Sequence, residues 1–375
     1  MKHITDLTCC RAIFAGWVFA YHLNLQAHYT SLLGYFGEVI EHGSLGVDGF
    51  FILSGMVLAH AHPDLAPTLA QARRFWAKRL IRIYPVHIVM IVALGGMIGG
   101  AYLLHVQPRD PERFGLGELI SHLTLVHAWG ASDRWAWNYP SWSISAEWAG
   151  YLTFPYLWAL LRRQNNTGAV VVLLLTFVGV AVCQAFARAQ HLTLTYDGGL
   201  LRLFPEFIAG MTVVPLLPKL HAGIPGRVVA LAGALMAVAG TLTKVIAAPW
   251  AGDVATITGL WLVLAGLMLA ARQGRPMLLG RVPALAWLGE ISYSFYMSFA
   301  LVETLQATAW RRLDADPGAH PALYVVTTTA LTLAMATLSW RLVEKPTLRA
   351  FAAYTNRRER RVGGAVDANR RLARP

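Results

Sequence analysis

Residues 168–187 read GAVVVLLLTFVGVAVCQAFA, a run with no formal charge. About 20 apolar residues, rising 1.5 Å each, are what a helix needs to cross the hydrocarbon of a bilayer. The run does not alternate in polarity, which argues against the strands of about ten residues that build a membrane β-barrel. Working outward on the same template, comparable runs lie at 12–32, 45–62, 84–105, 143–161, 201–217, 228–247, 254–271, 285–306 and 321–343. The fold class expected is therefore all-α: a polytopic integral membrane protein of about ten transmembrane helices.

Composition agrees. Of the 375 residues 56% are hydrophobic and 14% charged, and the mean hydropathy is +0.46, whereas soluble domains carry about 45–50% apolar and about 25% charged residues. A soluble globular protein is excluded. Thirteen Trp and 33 Gly fit a spanning bundle. The three cysteines, Cys9, Cys10 and Cys183, show neither a disulfide framework nor metal-ligand spacing, so no metal is expected. The apolar stretch after Arg11 runs too long for a signal peptide and is read as the first span.

A net charge of +12 would suggest nucleic acid in a soluble chain, but in a membrane protein its sidedness comes first. With ten spans both termini share one side. Placing them inside puts 23 Lys and Arg in inner segments against 7 in outer ones, so both termini are expected to be cytoplasmic. The segment 107–142, with its short piece LISHLTLVHAW, is read as an outer-face or re-entrant excursion. Residues 1–345 are expected to form one membrane domain, and the basic stretch 346–375 a disordered cytoplasmic tail beside anionic lipid.

Ionisable residues within spans are costly and mark candidate sites. Arg11 and His22 lie about three turns and roughly 16 Å apart on one face of the first span. An imidazole at that depth suits acid–base work, although a hydrogen bond to a neighbouring helix or, for Arg11, interfacial anchoring explains each residue singly. Asp48 near the outer end of the second span could orient an imidazole, bind a polar substrate or simply favour the helix dipole. The segment RRFWAKRLIRIYP packs Arg73, Arg74, Lys78, Arg79 and Arg82 into ten residues, more than topology requires, and suits a phosphorylated cytoplasmic ligand. Glu147 lies about one turn inside the fourth span, where it should be paired, protonated or lining a cavity. Trp142 fits an interfacial belt, and Glu206 and Glu303 are further intramembrane acids without a distinct role.

Taken together these segments resemble the acyltransferase family 3 of polytopic membrane proteins. Arg11 and His22 look like its R-x10-H pair, GVDGFFILSGM its G-V-D-x-F-F-x-L-S-G-F segment, and Arg79 to Arg82 its R-x-x-R motif. PSWSISAEW is similar to W-S-L-x-x-E, LGEISYSFYMSF to L-G-x-x-S-Y-x-x-Y-L-x-H, and Glu344-Lys345-Pro346 to a closing E-R/K-P. Phe299 stands where the family often has a histidine and Met56 where it has phenylalanine, which throws the acid–base role onto His22. The resemblance implies transfer of an acyl group, acetyl above all, from cytoplasmic acyl-CoA to a hydroxyl of a carbohydrate or glycolipid acceptor. The place implied is the bacterial inner membrane, with the lipid bilayer as surroundings and no nucleic-acid partner. On that reading Arg79 and Arg82, with Arg74 and Lys78 beside them, hold the CoA phosphates, and Arg11 guides the pantetheine arm. His22 is the base, and Asp48 and Glu147 orient it or bind the acceptor. The rival reading is a transporter or flippase in which the buried His, Asp and Glu form a proton relay.

Overall fold

The computed structural model describes residues 4–106, 110–220, 223–242 and 249–357. Among the described residues there are helices and turns and no strand. Ten helices longer than the connecting pieces follow one another. They are α1 (Thr5–Ala27), α2 (Gly46–Ala61), α3 (Leu69–Leu103), α4 (Trp142–Leu161) and α5 (Asn166–Gln190), then α6 (Gly199–Leu220), α7 (Gly226–Thr241), α8 (Pro249–Arg272), α9 (Pro283–Arg312) and α10 (Pro321–Ser339). Each segment read as a span coincides with one of them. Only short helices, such as Leu116–Leu123, occupy 107–142, and Arg109 lies outside the described residues.

Boundaries moved for local reasons. The helix α1 ends five residues early because His28 enters the left-handed region at φ 48°, its N–H closing back on the Asn24 carbonyl. Thr68 caps α3, its hydroxyl accepting from the Gln71 N–H, so the arginine-rich segment is the first part of a 35-residue helix. At roughly 50 Å that helix is longer than a bilayer core is thick. At the other end of the chain, α10 continues through a π-turn at Trp340–Glu344 and remains helical to 357, well into the stretch read as tail. Residues 358–375 lie outside the described residues.

Among the described residues, six helices are long and apolar enough to cross a membrane by length and composition. Among those that fall short, α1, α4 and α9 carry the polar residues described below, and these lower their apolar content. The burial pattern separates centre from rim. The apolar window of α2 is 67% buried inside the protein and that of α5 only 17%. Along α5, Val170, Leu174, Val178 and Val182 stand exposed, and on α7 Val228, Leu231, Leu235 and Val238 do the same. A continuous apolar exterior of this kind belongs in hydrocarbon, and the chain is a membrane protein.

Small residues set how closely the helices approach. Gly226, Gly233 and Gly240 on α7 recur every seven residues, as do Gly252, Gly259 and Gly266 on α8. A methyl group added at Gly226 would lie 2.2 Å from the Ala270 nitrogen, and one at Gly259 would lie 2.5 Å from that of Ala237. The two backbones are therefore in van der Waals contact along a heptad seam. The α2–α6 crossing is as tight: a Cβ at Gly55 would sit 2.0 Å from the Phe207 carbonyl oxygen, and one at Gly210 2.0 Å from that of Ile52. Helices α1 and α9 pack from Thr8 against Gly289 to His22 against Phe299. That register brings Glu303, one turn beyond Phe299, alongside His22.

Candidate active site

Two cavities open within the bundle. The first, of about 130 Å³, is lined by Arg11 of α1, Ser54 of α2, Arg79 and Arg82 of α3, Glu147 and Tyr151 of α4, and Tyr293 and Tyr296 of α9. The second is a vestibule of about 1490 Å³ whose lining includes His22, Arg113, Tyr139, Trp142, Arg202, Glu303 and, again, Tyr296. Val47 and Tyr296 face both. The Tyr296 hydroxyl donates to the Pro140 carbonyl oxygen at 3.2 Å and accepts from the Ser143 hydroxyl at 3.1 Å. The phenol is thus tethered as a septum between the two spaces.

The arginine cavity suits an anion. Arg79 stacks on Phe75 at 5.7 Å, and its Nε has no hydrogen-bond partner. Neither Arg79 nor Arg11 forms an ion pair among the described residues. Arg82 is different: it is paired with Glu344, which is 2% exposed and also accepts from the Ser294 hydroxyl at 2.6 Å. This pair ties α3 to the π-turn that follows α10, a conformation that recurs at functional sites. Glu147 accepts from the Ser54 hydroxyl at 2.6 Å. Arg74 and Lys78 stand exposed on α3 and do not line the cavity.

In the vestibule, His22 Nδ1 lies 3.2 Å from the Tyr139 hydroxyl, which donates to Glu303. The loop carrying Tyr139 is pinned on both sides of it. The Asn138 amide donates to the Met297 carbonyl oxygen of α9 at 3.1 Å, and the Ser141 hydroxyl bonds His127 Nε2 at 3.1 Å. His127 is itself stacked on His122 at 3.8 Å, 6° from parallel. Burial pushes the His122 imidazole down to about 4, so at neutral pH this stack carries no charge that would strain it.

The site residues read from the sequence are therefore divided between the chambers. Arg11, Arg79, Arg82 and Glu147 meet in one, and His22 lies in the other. Glu147, read as orienting His22 or binding the acceptor, lines the cavity of the arginines and not the vestibule. Asp48, read in the same role, lines neither chamber. It is fully buried and ion-paired with Arg202, whose guanidinium also donates to the Ser44 carbonyl oxygen at 2.8 Å and lies 5.3 Å from the Trp142 ring centre. The pair joins α2 to α6 about two turns from their tight crossing, and Trp142 is buried beside it. Tyr139, Arg202 and Tyr296 were not singled out from the sequence, and Glu303 was named there without a role. Arg202 alone offered a signal, being an arginine inside an apolar run one turn from Glu206.

The helical bundle thus holds an arginine-lined cavity against a histidine-bearing vestibule, the two meeting at Val47 and Tyr296. A family model described as the acyltransferase domain matches residues 4–341, and the chain belongs to acyltransferase family 3. It is 28% identical over 321 residues to acyltransferase MdmB of Streptomyces mycarofaciens, covering 80% of this chain and 79% of that protein. Over 340 residues it is 28% identical to nodulation protein 10 of Rhizobium leguminosarum bv. viciae, covering 84% of each. A stretch of 156 residues is 22% identical to regulator of hypoxia-inducible factor 1 of Caenorhabditis elegans, covering 41% of this chain and 31% of that protein. No solved structure matches the chain. The protein is an acyltransferase.

Proposed function

We propose that the ten helices all cross the bilayer of the bacterial cytoplasmic membrane with both termini inside, and that the enzyme carries an acyl group from one face to the other. The donor is acyl-CoA, acetyl-CoA in the first instance, and the acceptor is a hydroxyl of a carbohydrate or glycolipid arriving from the opposite side. The observation that carries this reading is that the arginine cavity and the His22 vestibule meet at Tyr296 and Val47. Arg79 and Arg11 bind donor phosphates or the arm that follows them, and Arg74 and Lys78 add a positive field at the approach. A displacement of the Tyr296 ring lets the thioester into the vestibule.

There His22 takes the proton from the acceptor hydroxyl as its oxygen bonds to the thioester carbonyl carbon. The carbon–sulfur bond then breaks, and the departing thiolate recovers the proton from His22. Purified protein in liposomes loaded with radiolabelled acetyl-CoA tests the whole scheme. Label is expected on a cell-envelope glycan fraction added outside, with free CoA retained within; solute flux without acyl transfer would refute it.

Arg79 supplies a separate check. A charge-assisted hydrogen bond is worth about 1.5–3 kcal/mol, so Arg79→Ala is expected to raise the KM for acetyl-CoA roughly 10- to 100-fold with little change in kcat. An unchanged KM would reduce this arginine to a topology signal. Arg82→Ala is the poorer probe, because it also strands the buried Glu344.

A further inference from the structure

We propose that Glu303, acting through Tyr139, is a positioning residue that fixes the tautomer of His22, leaving Nε2 free as the base. This rests on the reading of His22 as the base.

The hydrogen bonds fix where the protons lie. A phenol has one, and the Tyr139 hydroxyl donates it to Glu303. Its oxygen can then only accept, and the group 3.2 Å away is His22 Nδ1. With Glu303 ionised and accepting that proton, Nδ1 carries the ring proton, because the bond made by one ring nitrogen decides the state of the other. The lone pair is left on Nε2, the nitrogen available to a hydroxyl in the vestibule. The reverse assignment would put a proton on Nε2 and leave the imidazole unable to accept one there.

Three features hold the chain in place. Tyr139 sits on the loop pinned by Asn138 and Ser141. The Phe299 ring packs on the imidazole at 5.0 Å between centres. The Arg113 guanidinium lies 5.8 Å from the centre of the Tyr139 ring and donates through Nε to the Trp135 carbonyl oxygen, placing a fixed cation beside the acid. None of Tyr139, Glu303 or Arg113 touches the arginine cavity, so the chain governs the acceptor side alone.

When His22 takes the acceptor proton on Nε2, the imidazolium gains a stronger bond from Nδ1–H to the Tyr139 oxygen, with Glu303 behind it. The proton on Nδ1 stays where it is throughout. Proton, acyl carbon and sulfur are therefore balanced as in the transfer step above, and the chain contributes orientation and charge.

The test uses the full-length enzyme in bilayers with ¹⁵N-labelled histidine, the His22 signal being identified by its loss in His22→Ala. The parent is expected to show the Nδ1–H form, and Tyr139→Phe to shift His22 toward Nε2–H. In that variant kcat with a cell-envelope glycan fraction is expected to fall on the order of 10²-fold, the scale of a misheld general base, while KM for acetyl-CoA stays within about twofold. Glu303→Gln should cost activity in the parent and nothing further in Tyr139→Phe, because its only route to His22 is removed. An Nε2–H signal in the parent, an unmoved tautomer in Tyr139→Phe, or additive losses would overturn the proposal. Full activity in His22→Ala would instead remove the base reading itself, a result the tautomer signal reports separately.

Discussion

His22→Ala, expressed and inserted at the parental level, is expected to lose acyl transfer by roughly 10²- to 10⁴-fold, the contribution of a positioned general base. The expectation follows from where the residue sits. His22 lines the vestibule, is held by Tyr139 and Phe299, and lies across the Tyr296 septum from the arginines. Because Arg11 and Arg79 are in the other chamber, acetyl-CoA should bind His22→Ala with parental affinity. A substituted enzyme that binds the donor and does not turn it over would separate recognition from chemistry. Substantial turnover with correct insertion would sink the mechanism.

The second large effect is on folding. Arg202→Ala removes the ion-pair partner of Asp48, which has no solvent exposure. Removing one partner of a buried pair costs about 3–5 kcal/mol, which for a membrane protein is read as a lost folded fraction in detergent and a lowered thermal midpoint. Replacing both partners by apolar residues of similar size should restore most of that stability, since the desolvation of both charges is relieved together. Asp48→Leu with Arg202→Met is therefore expected to survive extraction far better than Arg202→Ala alone. Equal losses in the single and double variants would show that the pair contributes little and that the guanidinium stabilises the crossing through Trp142 and Ser44 instead.

Much of this was legible from the chain and some was not, for physical reasons. The helices could be read because an apolar run of spanning length has few other uses, and among the described residues each of the ten segments falls on a helix. Arg11, Arg79 and Arg82 could be read because clustered cations exceed what sidedness requires. The partition into two chambers could not be read, because it depends on which faces of α1, α4 and α9 converge, and spacing along one helix says nothing about its neighbours. Asp48 shows the limit most plainly. Its setting in GVDGFF fixes depth, but its partner Arg202 is 154 residues away. Tyr139 was missed and Glu303 left without a role for the same reason, 164 residues separating two groups joined by one hydrogen bond. The α7–α8 seam was written openly as two heptad series of glycine, a periodicity of small residues rather than of large apolar ones.

The Tyr296 septum has an electrical consequence. On the proposed topology, and with both chambers hydrated, the bulk potentials of the two compartments reach deep into the protein, so most of the transmembrane voltage falls across this one phenol and its neighbours. Moving a unit charge through that drop involves about 2.3 kcal/mol per 100 mV. A thioester carries no charge and crosses without electrical work, whereas the donor's phosphates, held by arginines on the near side, never enter the field. The enzyme can then hand a neutral acyl group across an energised membrane without its rate being set by the voltage, and without opening a path for ions.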